Sequence, residues 1–243
     1  MDTTYAREYR DLYKRHWWWR AREQYVLDEL RRRRPVGRWG HILDVGCGGG
    51  VFFPALSILG DVEGIEPDAA LVDRSDPYSA RIHVRPFDAT FRPPHDYGLI
   101  LMLDVLEHMS EPEAALAHAV TLLERGGTLV VTVPAFMLLW TQHDVLNRHH
   151  TRYTRPRIER LARAAGFDVL TCRYFYHWLV PAKLATRVME LVHRRAPRAP
   201  RVPAQWINSL LYLVSRAEQR LSRSLSLPFG SSVLLVARKP TNA

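Results

Sequence analysis

Cysteine is nearly absent from this chain: among 243 residues only Cys47 and Cys172 carry a thiol. Two isolated thiols form no disulfide framework and match no zinc-site spacing, which favours a reducing compartment. Long apolar runs are missing as well. The longest, such as Leu210–Val214, fall far short of the roughly twenty residues that span a bilayer. The N-terminus is polar and has no apolar signal region. The expected location is cytoplasmic, with peripheral membrane contact left open. Acidic residues are the minority, 25 Asp+Glu against 34 Lys+Arg, for a formal charge of +9. The excess is mostly Arg, clustered at Arg31–Arg34 and Arg194–Arg201. Such runs suit nucleic acid, anionic lipid or an acidic substrate, or are simply a solvated helix end and loop. They are not interleaved with a regular series of aromatics, as a single-strand nucleic-acid groove requires, so no nucleic-acid partner is expected.

An apolar content of 47% with 24% charged residues fits one folded domain over residues 1–243, a length that buries a core of ordinary size. Thr3–Arg34 carries Tyr5, Tyr9, Leu12, Tyr13 and His16, then Tyr25, Val26, Leu27 and Leu30, at helical spacing around the Trp17–Trp19 triplet. Pro35 and Gly37 end that helix. Strands are expected at His41–Val45, Asp61–Ile65, Arg81–Val84, Tyr97–Leu103, Gly127–Val133, Phe167–Tyr174 and Ser232–Arg238. Helices are expected after the turn in Gly48–Leu59, from about Asp68, and over Pro112–Leu123 and Pro156–Ala165, the last closed by Gly166. This alternation predicts a parallel sheet covered by helices on both faces. About 50 residues separate the last two strands, too many for a simple loop. They hold two amphipathic stretches, Pro181–His193 and Gln205–Leu225, joined by an Arg/Pro-rich linker.

The strongest local signal is His41-Ile-Leu-Asp-Val-Gly-Cys-Gly-Gly-Gly50, a buried strand running into a glycine-rich turn. Glycines there permit left-handed backbone angles and close ligand approach. In an open α/β sheet, ligands bind beyond the C-terminal strand ends. A dinucleotide fingerprint fails, because Val51 stands where its last glycine belongs, and the Lys-Ser/Thr pair of a phosphate loop is absent. Asp44, two residues before the first glycine, suits the ammonium of an amino-acid ligand and repels a pyrophosphate.

Leu43-Asp-Val-Gly-Cys-Gly-Gly-Gly50 resembles motif I of class I S-adenosylmethionine (SAM)-dependent methyltransferases. The resemblance covers roughly residues 40–167. It implies a Rossmann-like, seven-stranded, mostly parallel sheet with an antiparallel last strand. N-terminal helices (1–37) would form a lid, and a helical insertion (177–229) would precede that last strand. It implies SAM binding by Asp44, Gly46, Cys47 and Gly48. Glu66 and Pro67 fall at the end of the second strand, where the family holds the ribose hydroxyls. A carboxylate with two acceptor oxygens suits a vicinal diol. Asp88 and Ala89 fall at the adenine position, and Leu103 and Asp104 near the methionine end. Leu123–Pro134 resembles the turn and fifth strand.

For chemistry, Asp104, Glu107 and His108 are expected at the active-site edge. His108 is a candidate base, since an unperturbed imidazole titrates near neutrality. A similar acid-x-x-Glu-His segment binds a divalent metal in a subset of such enzymes; no metal is assigned here, and that alternative stays open. The segment Trp140–Tyr153 resembles one found in a group of bacterial methyltransferases. Trp140, His143, Asp144, His149, His150 and Tyr153 are candidates to line the acceptor pocket, with His143 beside Asp144 as an oriented base. The alternative is a polar loop that caps the next helix through Thr154 and Pro156. Tyr9, Tyr13, Trp17 and Trp18 are candidate aromatic walls for a sulfonium or protonated amine, or plain packing against the sheet. Trp178, Leu179, Leu184, Val188, Leu191, Trp206, Leu210, Leu211 and Leu213 give the insertion apolar faces. A lid, a homodimer interface and a membrane surface all fit them.

The expected function is methyl transfer from SAM to an O, N or C atom of a small molecule, of the specialised-metabolite or lipid-linked kind, by a monomer or homodimer. A catalytically inactive SAM-binding subunit and an RNA or peptide methyltransferase are the alternatives. Leu103-Asp-Val-Leu106 replaces the Asn/Asp-Pro-Pro-Tyr element of adenine-methylating enzymes.

Overall fold

The computed structural model describes residues 12–192, 201–222 and 227–241. Tyr9 and most of the Arg194–Arg201 linker lie outside them. Seven strands form one sheet in the order β3-β2-β1-β4-β5-β7-β6. They are β1 (His41–Val45), β2 (Asp61–Ile65), β3 (Ile82–His83), β4 (Tyr97–Leu103), β5 (Leu123–Pro134), β6 (Asp168–Phe175) and β7 (Ser232–Arg238). β7 runs antiparallel to both neighbours, with Leu235 opposite Val131 and Cys172; the other pairings are parallel. The order reverses between β1 and β4, where Val45 lies opposite Met102. A ligand crevice forms where the chain departs in opposite directions from neighbouring strands.

The central strands are buried on both faces, so their sequences are continuous apolar runs. Successive side chains point to opposite faces. Leu43, Ile100, Met102, Val131 and Leu235 enter one core with α3 (Pro112–Leu122) and α5 (Arg155–Ala164). Ile42, Leu99, Leu101, Val130 and Leu234 enter the other with α1 (Trp17–Arg33) and α2 (Phe53–Leu56). His16 caps α1, its Nδ1 accepting from Trp18 N at 3.2 Å. Arg31–Arg33 fill the last turn, where cations oppose the helix dipole.

Three expectations change. The helix expected from Asp68 is replaced by single 3₁₀ turns at Ala69–Leu71 and Ser79–Arg81. Asp68, Asp73 and Asp76 each accept from the backbone N–H two residues on, at 2.9–3.0 Å, and such Asx turns compete with a helix. The helix after the glycine-rich turn shrinks to four residues. β5 starts at Leu123 rather than Gly127, because Leu123 pairs with Tyr97 across a bulge.

The insertion forms α6 (Leu179–Val192) and α7 (Gln205–Leu221); a short helix α4 (Gln142–Leu146) precedes α5. α7 lies across α1. Asn208 Oδ1 accepts from Trp17 N at 2.9 Å, Arg216 donates to Asp28 at 2.7 Å, and Gln219 donates to the Ala21 carbonyl at 3.1 Å.

Candidate active site

The C-terminal edge of the sheet concentrates backbone strain. Asp104, Phe136 and Tyr176, just beyond β4, β5 and β6, adopt φ of 57°, 54° and 59°. A non-glycine residue there costs about 1–2 kcal/mol, which the surrounding packing must hold. At these exits Asp104 meets Arg22 and Thr132, Phe136 stacks on Tyr174, and Tyr176 is buried against Trp17 and Trp18.

The glycine-rich turn is anchored to β2 by Gly46 N donating to the Ile65 carbonyl at 2.8 Å. Gly46 has φ 68°, and a Cβ there would stand 2.7 Å from Val105 Cγ2. Gly48, at φ 54°, is buried with its N–H on Glu66, yet nothing lies within 4 Å of a would-be Cβ. Cys47 turns inward, with its thiol against Gly64; burial pushes that thiol far up and leaves it unreactive. Asp44 is buried, and desolvation raises its carboxyl to about 7 against the attraction of Arg22. Glu66 is buried too, accepting from Gly48 N at 3.0 Å and Asp68 N at 2.9 Å. Burial outweighs those donors and raises its pKa. Pro67 is exposed beside it. Asp88 and Ala89 are exposed on the loop after β3, where Thr90 N and Oγ1 donate to Asp88 Oδ1 at 2.9 and 2.5 Å. Those bonds hold the Asp88 carboxyl below its usual range.

Arg22 is the residue the sequence reading missed. It projects from α1 into the crevice, 4% exposed, and pairs with Asp104 Oδ2. Its guanidinium lies 5.6 Å from the Tyr13 ring centroid and 5.3 Å from that of Trp18. Thr132 Oγ1 donates to Asp104 Oδ1 at 3.1 Å. The only sequence signal was an Arg four residues after Trp18, on the helix face that also carries apolar residues. The aromatic cluster is closed by the insertion: Trp17 packs on Trp178 and Tyr176, and Trp18 stacks on Tyr176. Trp17 and Trp19 are buried, and Trp18 half-buried. A cavity of about 260 Å³, lined by Tyr13, Glu23, Val51 and Tyr212 among others, opens between α1, the glycine-rich turn and α7.

The loop after β5 is organised by one buried carboxylate. Asp144 accepts from Arg152 Nε and Nη2 at 2.8 Å each, from Thr141 N at 2.8 Å and from His149 Nδ1 at 2.9 Å. The expected pairing of His143 with Asp144 is therefore not made. His143 is exposed on the outer side of α4 against Asn147, since adjacent helical residues point in different directions. His149 takes the place beside Asp144 and meets His108 edge to face, centroids 4.6 Å apart. Tyr153 is fully buried and donates to the Leu106 carbonyl at 3.0 Å, so it ties the loop to the His108 turn and lines no open pocket. Trp140 is half-buried, and its carbonyl accepts from Arg187 at 2.9 Å. His150 is exposed, with its N–H on the Glu107 carbonyl. Lys183 of α6, also unforeseen, stands beside Asp144 and Arg152; burial, then Arg152, lowers it to about 8.

Glu107, His108 and His149 aim donor atoms within 4.8 Å of one another. Glu107 Oε2 is buried without a hydrogen-bond partner, and burial raises that carboxyl well above its usual value. This O/N donor set suits a divalent cation. It differs from the set expected in sequence by one ligand, because Asp104 is engaged by Arg22 and Thr132.

Comparison with known proteins follows the same lines. A family model described as a methyltransferase domain matches residues 10–172. The ubiquinone biosynthesis O-methyltransferase of Ralstonia nicotianae is 24% identical over 219 residues, covering 76% of this chain and 92% of its own. The SAM-dependent methyltransferase of Archaeoglobus fulgidus superposes with a TM-score of 0.56 at 15% identity, over 89% of this chain and 94% of its own. The N-methyltransferase NodS of Bradyrhizobium japonicum, in complex with S-adenosylhomocysteine, does so with a TM-score of 0.55 at 13% identity, over 91% and 87%. With this match, this sheet order and this glycine-rich crevice, the chain belongs to the methyltransferase domain family and is a class I SAM-dependent methyltransferase.

Proposed function

We propose that the acceptor is a small molecule bearing a hydroxyl group, methylated beside His149 at the C-terminal edge of the sheet. The observation that carries this is the Asp144–His149 pair, 2.9 Å apart. An ionised carboxylate only accepts, so His149 Nδ1 holds its proton and Nε2 presents a lone pair. Burial pushes Asp144 up, but the His149 and Arg152 hydrogen bonds outweigh it and keep the carboxyl ionised far below its usual range. His149 Nε2 takes the acceptor proton as general base, with Asp144 as the positioning residue. His108 lines the same wall. Likeness to ubiquinone O-methyltransferases supports an oxygen acceptor.

The crevice fits SAM. Asp44, a buried carboxylate with a raised pKa, takes the ligand ammonium, which relieves its burial. Arg22 faces the ligand carboxylate with a planar fork. Gly46 and Gly48 admit the ligand against bare backbone, Glu66 takes the ribose diol, and Asp88 and Ala89 border the adenine. When bound, SAM supplies an electrophilic methyl group, while the chain supplies orientation and the base.

Screening hydroxylated small molecules with methyl-labelled SAM, and identifying products by mass, tests the acceptor class. His149→Gln is expected to lower kcat by about 10²–10⁴-fold while leaving stabilisation by S-adenosylhomocysteine intact. Glu66→Ala is expected to lose that stabilisation. A His149→Gln enzyme with unchanged kcat refutes the base. The orphaned Glu107 Oε2 favours a second use of the cluster, a divalent cation on Glu107, His108 and His149. Loss of turnover in chelator, restored by added cation, selects that reading; indifference to chelator selects the His149 base.

A further inference from the structure

Helices α6 and α7 turn polar side chains inward and expose an apolar stripe, although Leu179, Leu211 and Tyr212 also pack inward against the core. On α6, Arg187 donates inward to the Met137 and Trp140 carbonyls at 3.1 and 2.9 Å, and Glu190 accepts from Gln142 N at 2.9 Å. Lys183 is half-buried on the same side. The outward residues, Ala182, Ala185, Val188, Met189, Leu191 and Val192, bear no charge, and the last four are 59–75% exposed. α7 repeats the pattern. Its buried side chains are Asn208, Ser215, Arg216 and Gln219. Its exposed stripe is Trp206, Leu210, Leu213, Val214, Ala217 and Leu221, at helical spacing. A surface helix of a water-soluble fold turns its apolar stripe inward. Two consecutive helices that do the reverse leave a large apolar surface that water does not suit. They are joined: His177 Nδ1 bonds Glu218 Oε1 at 2.7 Å, tying the start of α6 to the last turns of α7.

We propose that this surface docks the enzyme on an anionic lipid bilayer, with α6 and α7 lying in the headgroup region. Among the described residues no helix is long and apolar enough to cross a membrane, so the helices lie on the bilayer rather than span it. Charge selects lipid over a second copy. In sequence, Arg194, Arg195 and Arg198 stand between the two helices, Arg201 and Arg220 are exposed beside the apolar stripe, and the chain carries +9. An isologous dimer through this face would bring Arg201 and Arg220 towards the same charges on its own copy, whereas anionic headgroups neutralise them at about 1 kcal/mol per basic residue. Trp206, 71% exposed at the start of α7, is the side chain type that anchors at such an interface. The inner side of α6 touches the loop after β5, so docking brings the His149 wall to the bilayer and favours an acceptor with an apolar tail. That consequence rests on the acceptor reading above; the docking does not.

The test is flotation of the full chain with vesicles of phosphatidylcholine alone or mixed with phosphatidylglycerol, at low and high salt. The wild type is expected to float with the mixed vesicles and to be released by salt. Leu210→Glu/Leu213→Glu and Val188→Glu/Leu191→Glu are each expected to cut partitioning by about tenfold or more. Both retain the wild-type melting temperature and its shift by S-adenosylhomocysteine, because all four positions are exposed. Wild type that stays at the bottom with mixed vesicles overturns the proposal. So does a lipid-free dimer, seen by sedimentation equilibrium, that these same substitutions dissociate.

Discussion

Replacing Asp144 by Ala removes the anion on which the loop after β5 converges. Arg152, whose side chain is 1% exposed, then loses two hydrogen bonds of 2.8 Å and keeps only the Ala135 carbonyl at 3.1 Å. Thr141 N and His149 lose their acceptor as well. Breaking a buried ion pair from one side costs about 3–5 kcal/mol, mostly from the stranded charge. For a chain of this size, ~1 kcal/mol moves Tm by roughly 2–4 °C, so a fall of roughly 10 °C is expected in a thermal melt at neutral pH. Removing the stranded charge too, in Asp144→Ala/Arg152→Met, recovers most of that loss, which a double-mutant cycle reads as coupling. The pH dependence has a definite sign. Asp144 has a depressed folded pKa, so its contribution is present above the unfolded value of ~3.9. It is lost as pH falls through the folded value. The Tm gap between wild type and Asp144→Ala should therefore hold from pH 8 to 5 and narrow only below about 4. A gap under about 1 kcal/mol at pH 7, or no recovery in the double variant, refutes the claim that this carboxylate organises the loop.

Gly46→Ala places a Cβ 2.7 Å from Val105 Cγ2 at φ 68°; it should lower stability by about 1–3 kcal/mol in denaturant melts, and Val105→Ala should restore only the steric part. Asp44, raised to about 7 by burial, costs the free protein stability as pH rises towards and through that value. Asp44→Asn should thus raise the ligand-free Tm at pH 8 while weakening SAM in calorimetric titration. Equal SAM affinity would exclude Asp44 as the ammonium partner. Arg22→Met removes a charged donor worth about 1.5–3 kcal/mol; a ten- to hundredfold rise in the SAM Kd is expected, with Arg22→Lys between the two. An unchanged Kd would leave Arg22 as a partner of Asp104 alone.

Most of the sheet was readable because its strands are local patterns. Buried strands write continuous apolar runs, and the turn at Gly46–Gly50 needs glycine where its φ is positive, at Gly46, Gly48 and Gly50. The failures have physical causes of their own. Asp68, Asp73 and Asp76 hold a segment of helical composition in Asx turns. Side-chain direction on α4 and the loop after it gave Asp144 to His149 rather than to its sequence neighbour His143.

By itself, then, the chain's order of residues determined the strands and the cofactor turn, since each is a local pattern; the family resemblance added the bordering acids Glu66 and Asp88, and strand pairing joins residues as far apart as Val131 and Leu235. Tertiary structure alone decided which charges meet. Arg22 reaches Asp104 from 82 positions away, and Glu107, His108 and His149 gather from two different loops. It also decided that α6 and α7 turn their apolar stripes outward. An amphipathic sequence specifies two faces, but only the neighbours against which a helix packs determine which face meets the protein.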